Sequence, residues 1–396
     1  MAGLRSVVRQ ETMPRTLVVE PIRFLEESGG LTSEWQQLDE RIYPRTPFTS
    51  PLWNRLWWKH YASESLLVRD ELFVHAVRDE AGRLVAVAPM MLTRRPSRGP
   101  VKARVLQCFG ADANVTELRG LVCTPEDQGP ALAALQEHFT RSARWDWIDW
   151  GGVREDGTSP GALSGAGSEA WQRETPNFYL DLAPTWAEFR ARLPRNIKES
   201  LRKCYNSLSR DGHRFTLRVV TSPSDTAAAL QAFFRLHRAR AVSSARVKHN
   251  DVFSRPKDRS FLDEYAHRLA ESDQLRIFQL HIGGRIVATR IGFLLGDELY
   301  LYYSGYDPEW ARYSVMTTLL AEAVQWAIEH RLRVVSLSTG RDVSKLRWRP
   351  SSVTFRSAVQ VAPGWPSALA FRAYHQMVLA RSEQSTLGKL LALAQR

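Results

Sequence analysis

At 396 residues the chain exceeds the ~250–300 residues at which a single hydrophobic core stops growing, so two units are expected. Its apolar fraction of 44% is ordinary for a globular protein, and three widely spaced cysteines, Cys108, Cys123 and Cys204, exclude a disulfide framework. Lys and Arg number 54 against 42 Asp and Glu, a net charge of +12, which suits a polyanionic or phosphate-bearing partner and an arginine-rich composition equally well.

Met1–Glu20 carries Arg5, Arg9 and Arg15 but no apolar core of signal-peptide length, and no run approaches the ~18 apolar residues of a membrane span. With the unpaired cysteines, this gives the expectation of a cytoplasmic protein whose first dozen or so residues fray. Ile22–Leu38 reads as a short amphipathic helix. In Pro44–Tyr61 the residues Trp53, Trp57 and Tyr61 lie four apart and share one helical face. That face is either a packed core stripe or a wall for an acyl chain or acceptor.

The strands Leu72–Arg78, Leu84–Leu92 and Val101–Phe109 follow, then a helix over Gln128–Ser142 and a strand over Trp145–Trp150. Gly151–Ala170 is rich in Gly, Ser and Pro and reads as a flexible loop near a domain boundary. Phe178–Leu182 is a strand, and Thr185–Leu193 a helix with Thr185 and Glu188 in capping-box spacing, stopped by Pro194. Arg195–Arg210 is a basic helix, open to two readings: a solvated face or a phosphate contact. After a strand at Phe215–Val220 comes a helix over Ser224–Arg240. Val242–Arg259 is irregular and polar, a candidate lid containing Arg246, Lys248 and His249, and Phe261–Ser272 is another helix.

The most legible stretch is Leu275–Trp348. Strand Leu275–Ile282 turns at Gly283-Gly284 into strand Arg285–Leu295, a hairpin signal. Gly296-Asp297 leads to the aromatic strand Leu299–Tyr306, which Asp307-Pro308 ends. Ser314–Glu329 has helical apolar spacing, Arg333–Ser338 is a strand, and Thr339–Trp348 is a polar exit loop. Val353–Val361 is a last strand, with helices over Pro366–Arg381 and Ser385–Arg396. The order strand pair, strand, helix, strand thus occurs twice, which predicts two similar α/β halves with mixed sheets side by side. The first copy lacks the aromatic strand and the exit loop, so its expected role is structural or acceptor-shaping.

The stretches Phe233–Leu236 with His237-Arg238-Ala239-Arg240, Tyr302–Trp310, Tyr313-Ser314, and Gly340-Arg341-Asp342 with Lys345 and Trp348 carry a resemblance. Over roughly Asn177–Trp348 the chain resembles the GNAT N-acyltransferase superfamily. The likeness is to its tandem branch, the cellulose-biosynthesis (CelD-like, BioF2-like) acetyltransferases related to Fem-type aminoacyltransferases. The resemblance implies two tandem GNAT-like domains, a degenerate one over 16–170 and an acyltransferase domain with C-terminal helices over 171–396. It implies acyl-CoA as donor, bound between two diverging strands, Leu299–Tyr306 and Arg333–Ser338. The pyrophosphate would lie at a helix N-terminus, here Tyr306, Tyr313, Ser314, Val315, Met316, Thr317 and Thr318. The family's glycines are absent from this turn, which leaves an acyl carrier protein or an aminoacyl-tRNA open as donor.

Acyl transfer to an amine needs a polarised carbonyl, a neutral amine and a proton for the thiolate. His237 is either a satisfied core histidine or a proton acceptor. Asp342 is a second candidate base or an ion-pair partner of Arg341 or Lys345, and Glu309 a third. Tyr303 or Tyr306 either packs or protonates the thiolate; Arg341 and Lys345 are candidate acceptor or phosphate contacts. No metal-binding pattern, GxSxG elbow or P-loop occurs, so no metal is expected. Three functions follow: N-acyltransfer to an amine of a small molecule, sugar or peptide; aminoacyl-tRNA-dependent ligation; or a catalytically silent binding module.

Overall fold

The computed structural model describes residues 16–25, 29–98, 101–112, 114–142, 144–154, 173–243 and 249–382. The expected fraying of the first dozen residues, most of the Gly151–Ala170 loop, the helix at Ser385–Arg396, and Arg246 and Lys248 of the candidate lid lie outside these residues. Among the described residues, no helix is long and apolar enough to cross a membrane.

The first half runs β1 (Val18–Ile22), α1 (Gly30–Arg41), α2 (Pro51–Tyr61), β2 (Arg69–Leu72), β3 (Val74–Arg78), β4 (Leu84–Ala88), β5 (Met90–Arg98), β6 (Val101–Cys108), β7 (Val122–Cys123), α3 (Pro125–Ser142) and β8 (Trp147–Arg154). The expected helix from Ile22 begins only at Gly30, because Ile22 closes β1 on the edge of a small sheet and Gly29-Gly30 separates the two elements. The expected strand Leu84–Leu92 is two strands. Pro89 has no N–H for a ladder, and there the chain passes from a 4-stranded sheet (β1-β3-β4-β7) into an 11-stranded one.

The second half runs β9 (Arg173–Asp181), α4 (Trp186–Arg192), α5 (Arg195–Arg210), β10 (Phe215–Val220), α6 (Pro223–Val242), α7 (Pro256–Glu271), β11 (Leu275–Ile282), β12 (Arg285–Leu295), β13 (Glu298–Tyr306), α8 (Val315–Glu329), β14 (Val334–Thr339), the single turn α9 (Val343–Leu346), β15 (Ser351–Val361) and α10 (Trp365–Ser382). Thr185 caps α4 as its spacing predicts, its Oγ1 accepting from Glu188 N at 3.2 Å.

The long sheet has the order β10-β11-β12-β13-β14-β9-β15-β8-β6-β5-β2. It is antiparallel except at two places, β6–β8 and β13–β14, each bridged by a crossover helix, α3 or α8. The duplicated α/β plan read from the sequence is therefore real: the fold is two tandem halves, each with one parallel strand pair and its crossover helix. The halves also exchange strands. β9 follows β8 in the chain but pairs with β14; β15 follows β14 but pairs with β8; β9 and β15 pair with each other at the centre.

One apolar core crosses both halves. Trp53 of α2 sits 4.8 Å from the rings of Phe261 and of Tyr265 on α7, both edge-on. Trp53, Trp57 and Tyr61 are all buried in this core, and Trp57 and Tyr61 also border the large cleft described below. A second core lies on the opposite face of the sheet, under α4, α5 and α8.

The parallel pairs differ in what lies beyond them. β6 and β8 pair over Val105–Gln107 and Trp147–Asp149, and the loop at Arg119 packs against β8 just past that point. Its guanidinium reaches Asp149 Oδ2 at 2.7 Å, and its carbonyl presses on Gly151 and Gly152. A Cβ on Gly152 (φ +56) would sit 2.2 Å from Arg119 O. Gly82 (φ +77) has the same backbone handedness but open space around it. Gly82→Ala is therefore expected to cost about 1 kcal/mol of left-handed strain, and Gly152→Ala at least about 2 kcal/mol more through steric overlap. Urea unfolding of the two variants checks this; equal losses would show that the close approach of Arg119 relaxes freely.

Candidate functional site

β13 and β14 pair only over Glu298–Tyr300 and Val334–Ser336. Beyond Tyr300 the β13 chain runs on to Tyr306 without a β14 partner. The β12–β13 ladder shifts in the same place: Arg290 faces Ser304 and Gly292 faces Leu301, so Ile291 alone stands opposite Tyr302 and Tyr303. This bulge, and the left-handed backbone at Ser338 (φ 63), accompany the parting of the strands. Beside it lies a cleft of ≈ 1020 Å³ lined from both halves, including Glu117, Arg240, Arg290, Tyr303 and Lys345.

The aromatic strand holds the far wall of this cleft. The Tyr300 hydroxyl donates to Glu117 Oε2 at 2.5 Å, Tyr303 to Asn114 O at 2.6 Å, and Tyr302 to Val115 O. Their acceptors all lie on one loop of the first half. Asp112 braces that loop from below, accepting from Trp57 Nε1 at 2.8 Å and Thr116 Oγ1 at 2.6 Å. Burial pushes the Glu117 carboxyl up, against the pull of Lys345 and the Tyr300 hydrogen bond. Lys345 donates to Ser338 Oγ at 3.0 Å and to Thr339 O at 2.5 Å. Burial lowers its ammonium to about 8, with Glu117 opposing and Arg290 assisting.

The residues singled out from the sequence divide between two places. His237, Tyr303, Arg341, Asp342 and Lys345 line the large cleft. His237 has both ring nitrogens engaged by backbone: Nδ1 lies 2.9 Å from Ser304 O, and Nε2 accepts from Val252 N at 3.3 Å. Its helix lies hard against the bulged strand, since a Cβ on Gly305 would fall 2.3 Å from His237 N. Burial lowers its pKa. Asp342 caps α9, its Oδ1 accepting from Ser344 N at 2.8 Å. Burial raises its carboxyl, but that bond, Lys345 and Arg240 bring it below the usual range. Glu309 is exposed and pairs with Arg285 at 3.2 Å, and Trp348 packs in the second core.

The expected pyrophosphate turn is elsewhere. Ser314, left-handed at φ 53 and ψ 42, stands where glycine is the easier residue, and its side chain makes no cap to α8. Thr317 N and Thr318 N both bond Ser314 O. Tyr313, Val315 and Thr318 are buried, the first donating to Asp211 Oδ2 at 2.9 Å, while Met316 and Thr317 are partly exposed. Tyr306 packs half-buried against the second core. A small cavity of ≈ 330 Å³ adjoins the turn, lined by Lys203, Cys204, Arg312, Ser314 and Arg347 among others. On the basic helix α5, Arg195 pairs with Glu199 and Lys198 donates to Ala191 O, so Lys203 is the cation that faces this cavity.

Glu117 is a cleft residue that the sequence did not yield, since its loop has no periodicity to mark it. Arg290 is another, and its signal in the sequence is an arginine inside the apolar run Ile286–Leu295. Among the described residues, no group of His, Cys, Asp or Glu is arranged to hold a metal ion.

The Acetyltransferase (GNAT) domain family matches residues 195–346. No functionally curated protein matches the chain. The solved structure of FemX superposes with a TM-score of 0.55 at 10% identity, over 84% of this chain and 96% of FemX. The C-terminal domain of a putative lysylphosphatidylglycerol synthetase from Agrobacterium fabrum is similar at a TM-score of 0.47 and 15% identity, over 87% of this chain and 95% of that one. A tandem GNAT protein from the clavulanic acid biosynthesis pathway is similar at a TM-score of 0.43 and 12% identity, over 88% and 100%. At these identities the likeness to FemX is one of fold. Residues 195–346 thus match the acetyltransferase (GNAT) domain, and both halves of the chain share one plan of a parallel strand pair bridged by a helix.

Proposed function

We propose that the chain transfers an acyl group from a pantetheine thioester, acyl-CoA or an acyl carrier protein, to an amine acceptor. The observation that carries this reading is the parting of β13 and β14 after three paired residues, beside a polar cleft. Backbone N–H groups freed where the ladder ends are the donors for the thioester carbonyl. A CoA pyrophosphate would lie at the uncapped N-terminus of α8, beside Lys203, Arg312 and Arg347. The tight backbone there is served by Ser314 in place of glycine. A carrier-protein donor would present a single phosphate at the same turn. The domain ranges 16–170 and 171–396 stand within this reading as the acceptor-shaping and donor-binding units.

The amine loses one proton as the C–N bond forms and the C–S bond breaks, and the thiolate gains one. Lys345 is our candidate to take the proton from the amine and return it to the sulfur, with Glu117 fixing its charge state. Lys345 spends two of its three N–H donors on Ser338 Oγ and Thr339 O, whereas both His237 ring nitrogens face backbone groups and Asp342, held ionised below the usual range, caps α9. We assign His237 and Tyr303 to positioning the bulge and the facing loop, and Arg341 to the acceptor side of the cleft.

Acetyl-CoA and longer acyl-CoAs are expected to raise the melting temperature, an effect that tRNA does not reproduce. Stabilisation by tRNA alone, lost at moderate salt, would overturn the thioester reading in favour of an aminoacyl-tRNA donor. In the active enzyme kcat/KM is expected to rise with pH through about 8, as Lys345 loses its proton. Lys345→Met should abolish that limb and lower kcat by about 10²–10⁴. A pH profile unchanged in the variant would remove Lys345 from proton transfer.

The same group makes a stability claim. The folded state holds the Lys345 proton to about 8 and the unfolded chain holds it to the ordinary 10.5. Between those values the unfolded state binds more protons, so the stability of the wild type rises with pH there; below about 8 the burial penalty is present in full. Relative to Lys345→Met, the wild type should gain on the order of 2–3 kcal/mol across that window. Denaturant unfolding of both proteins from pH 7.5 to 10.5 measures the difference, and parallel curves would contradict it.

A further inference from the structure

Two arginines meet in the large cleft from different elements, Arg290 on β12 and Arg240 on α6. Arg240 Nη1 donates to Ser304 Oγ at 3.0 Å, and its Nη2 lies 2.9 Å from His249 Nε2. The Nε atoms of both arginines are buried and have no hydrogen-bond partner. Among the described residues neither guanidinium makes an ion pair within 4.0 Å.

The surrounding charge is unbalanced. Arg240, Arg290 and Lys345 are three cations facing two carboxylates, Glu117 and Asp342. Glu117 is pushed toward its neutral form, which leaves Asp342, ionised and capping α9, as one negative charge against three cations. Burial, with Arg240 beside it as the second cause, lowers Arg290 to about 10. Guanidinium groups held this way are stable only if something supplies the missing negative charge, and their planar forks match carboxylate or phosphate oxygens. The phosphates of a CoA donor do not meet this need, because their candidate position is the separate cavity at Lys203, Arg312 and Arg347.

We infer that the acceptor is itself an anion, an amine that also bears a carboxylate or a phosphate, whose charged group docks between Arg290 and Arg240 and so presents the amine to Lys345. This rests on the acyl-transfer reading for the identity of the amine as acceptor. The anion subsite stands on the two arginines alone. It makes free amino acids, peptide ends and amino-sugar phosphates the class to search, and it disfavours polyamine or simple alkylamine acceptors, which bring only positive charge.

The test uses the full chain, inorganic phosphate and succinate as probes, and Arg290→Gln. Phosphate or succinate should raise the wild-type melting temperature saturably, while sodium chloride of equal ionic strength does not. Whichever probe acts at lower concentration distinguishes phosphate from carboxylate. Arg290→Gln should melt at or above the wild-type temperature, since it removes an uncompensated buried cation, and should lose the saturable shift. Its response to acetyl-CoA should be unchanged. An equal probe shift in the variant, or no shift in the wild type, overturns the subsite; a variant that melts several degrees lower shows instead that Arg290 is structural. Loss of the acetyl-CoA response in both proteins, with the anion response intact, would count against the thioester donor and leave the subsite standing. With an anionic amine as acceptor, Arg290→Gln should raise its KM about 100-fold and leave the KM for the acyl donor unchanged.

Discussion

Three phenol groups from a single strand, all donating to one loop of the other half, make the cleft what it is. Tyr300, Tyr302 and Tyr303 stand on β13 where its bulge begins, and their acceptors are Glu117, Val115 O and Asn114 O. Burial raises all three phenols well above their ordinary range, so each stays a hydrogen-bond donor. In a low-dielectric setting each such donor left without its acceptor would carry the full desolvation penalty, about 1–3 kcal/mol. The loop is thereby fixed from one side by the tyrosines and from the other by Asp112, Thr116 and Trp57. A carboxylate from one half is thus held within the electrostatic reach of a lysine from the other.

The two halves share a plan but not a use. Each has a parallel strand pair of the same three-residue length. Beyond the first, Arg119 and its carbonyl crowd against Gly151 and Gly152. Beyond the second, a bulge and a cleft follow. The loop that crowds the first pair is the loop that furnishes Glu117 to the second. One loop thus both crowds the first strand pair and walls the cleft beside the second.

Much of the fold was legible in the amino-acid order. Leu275–Ile282 and Arg285–Leu295 coincide with strands because Gly283-Gly284 and Gly296-Asp297 punctuate them, and the helix at Val315–Glu329 follows from its apolar spacing. Legibility failed where tertiary pairing decided. The split at Pro89 and the edge strand β1 depend on which sheet receives them. Asp342 and Lys345 were readable as candidates because they lie in the polar exit after β14, and His237 and Tyr303, inside α6 and β13, because they sit in the stretches that carry the family resemblance. Their roles were not, because those depend on partners far away in sequence: Ser304 and Val252 for His237, Glu117 for Lys345. Glu117 sits in a loop whose geometry is set entirely from outside.

The central ribbon of β9 and β15 has a consequence for each half taken alone. Each of these strands completes the sheet of the half that did not precede it. A protein consisting of one such half would leave a strand edge open and would find its complement only in a second copy of itself. The arrangement is that of a strand-swapped dimer held within one chain, in which the strands part beside the cleft in the second half and are crowded by Arg119 in the first.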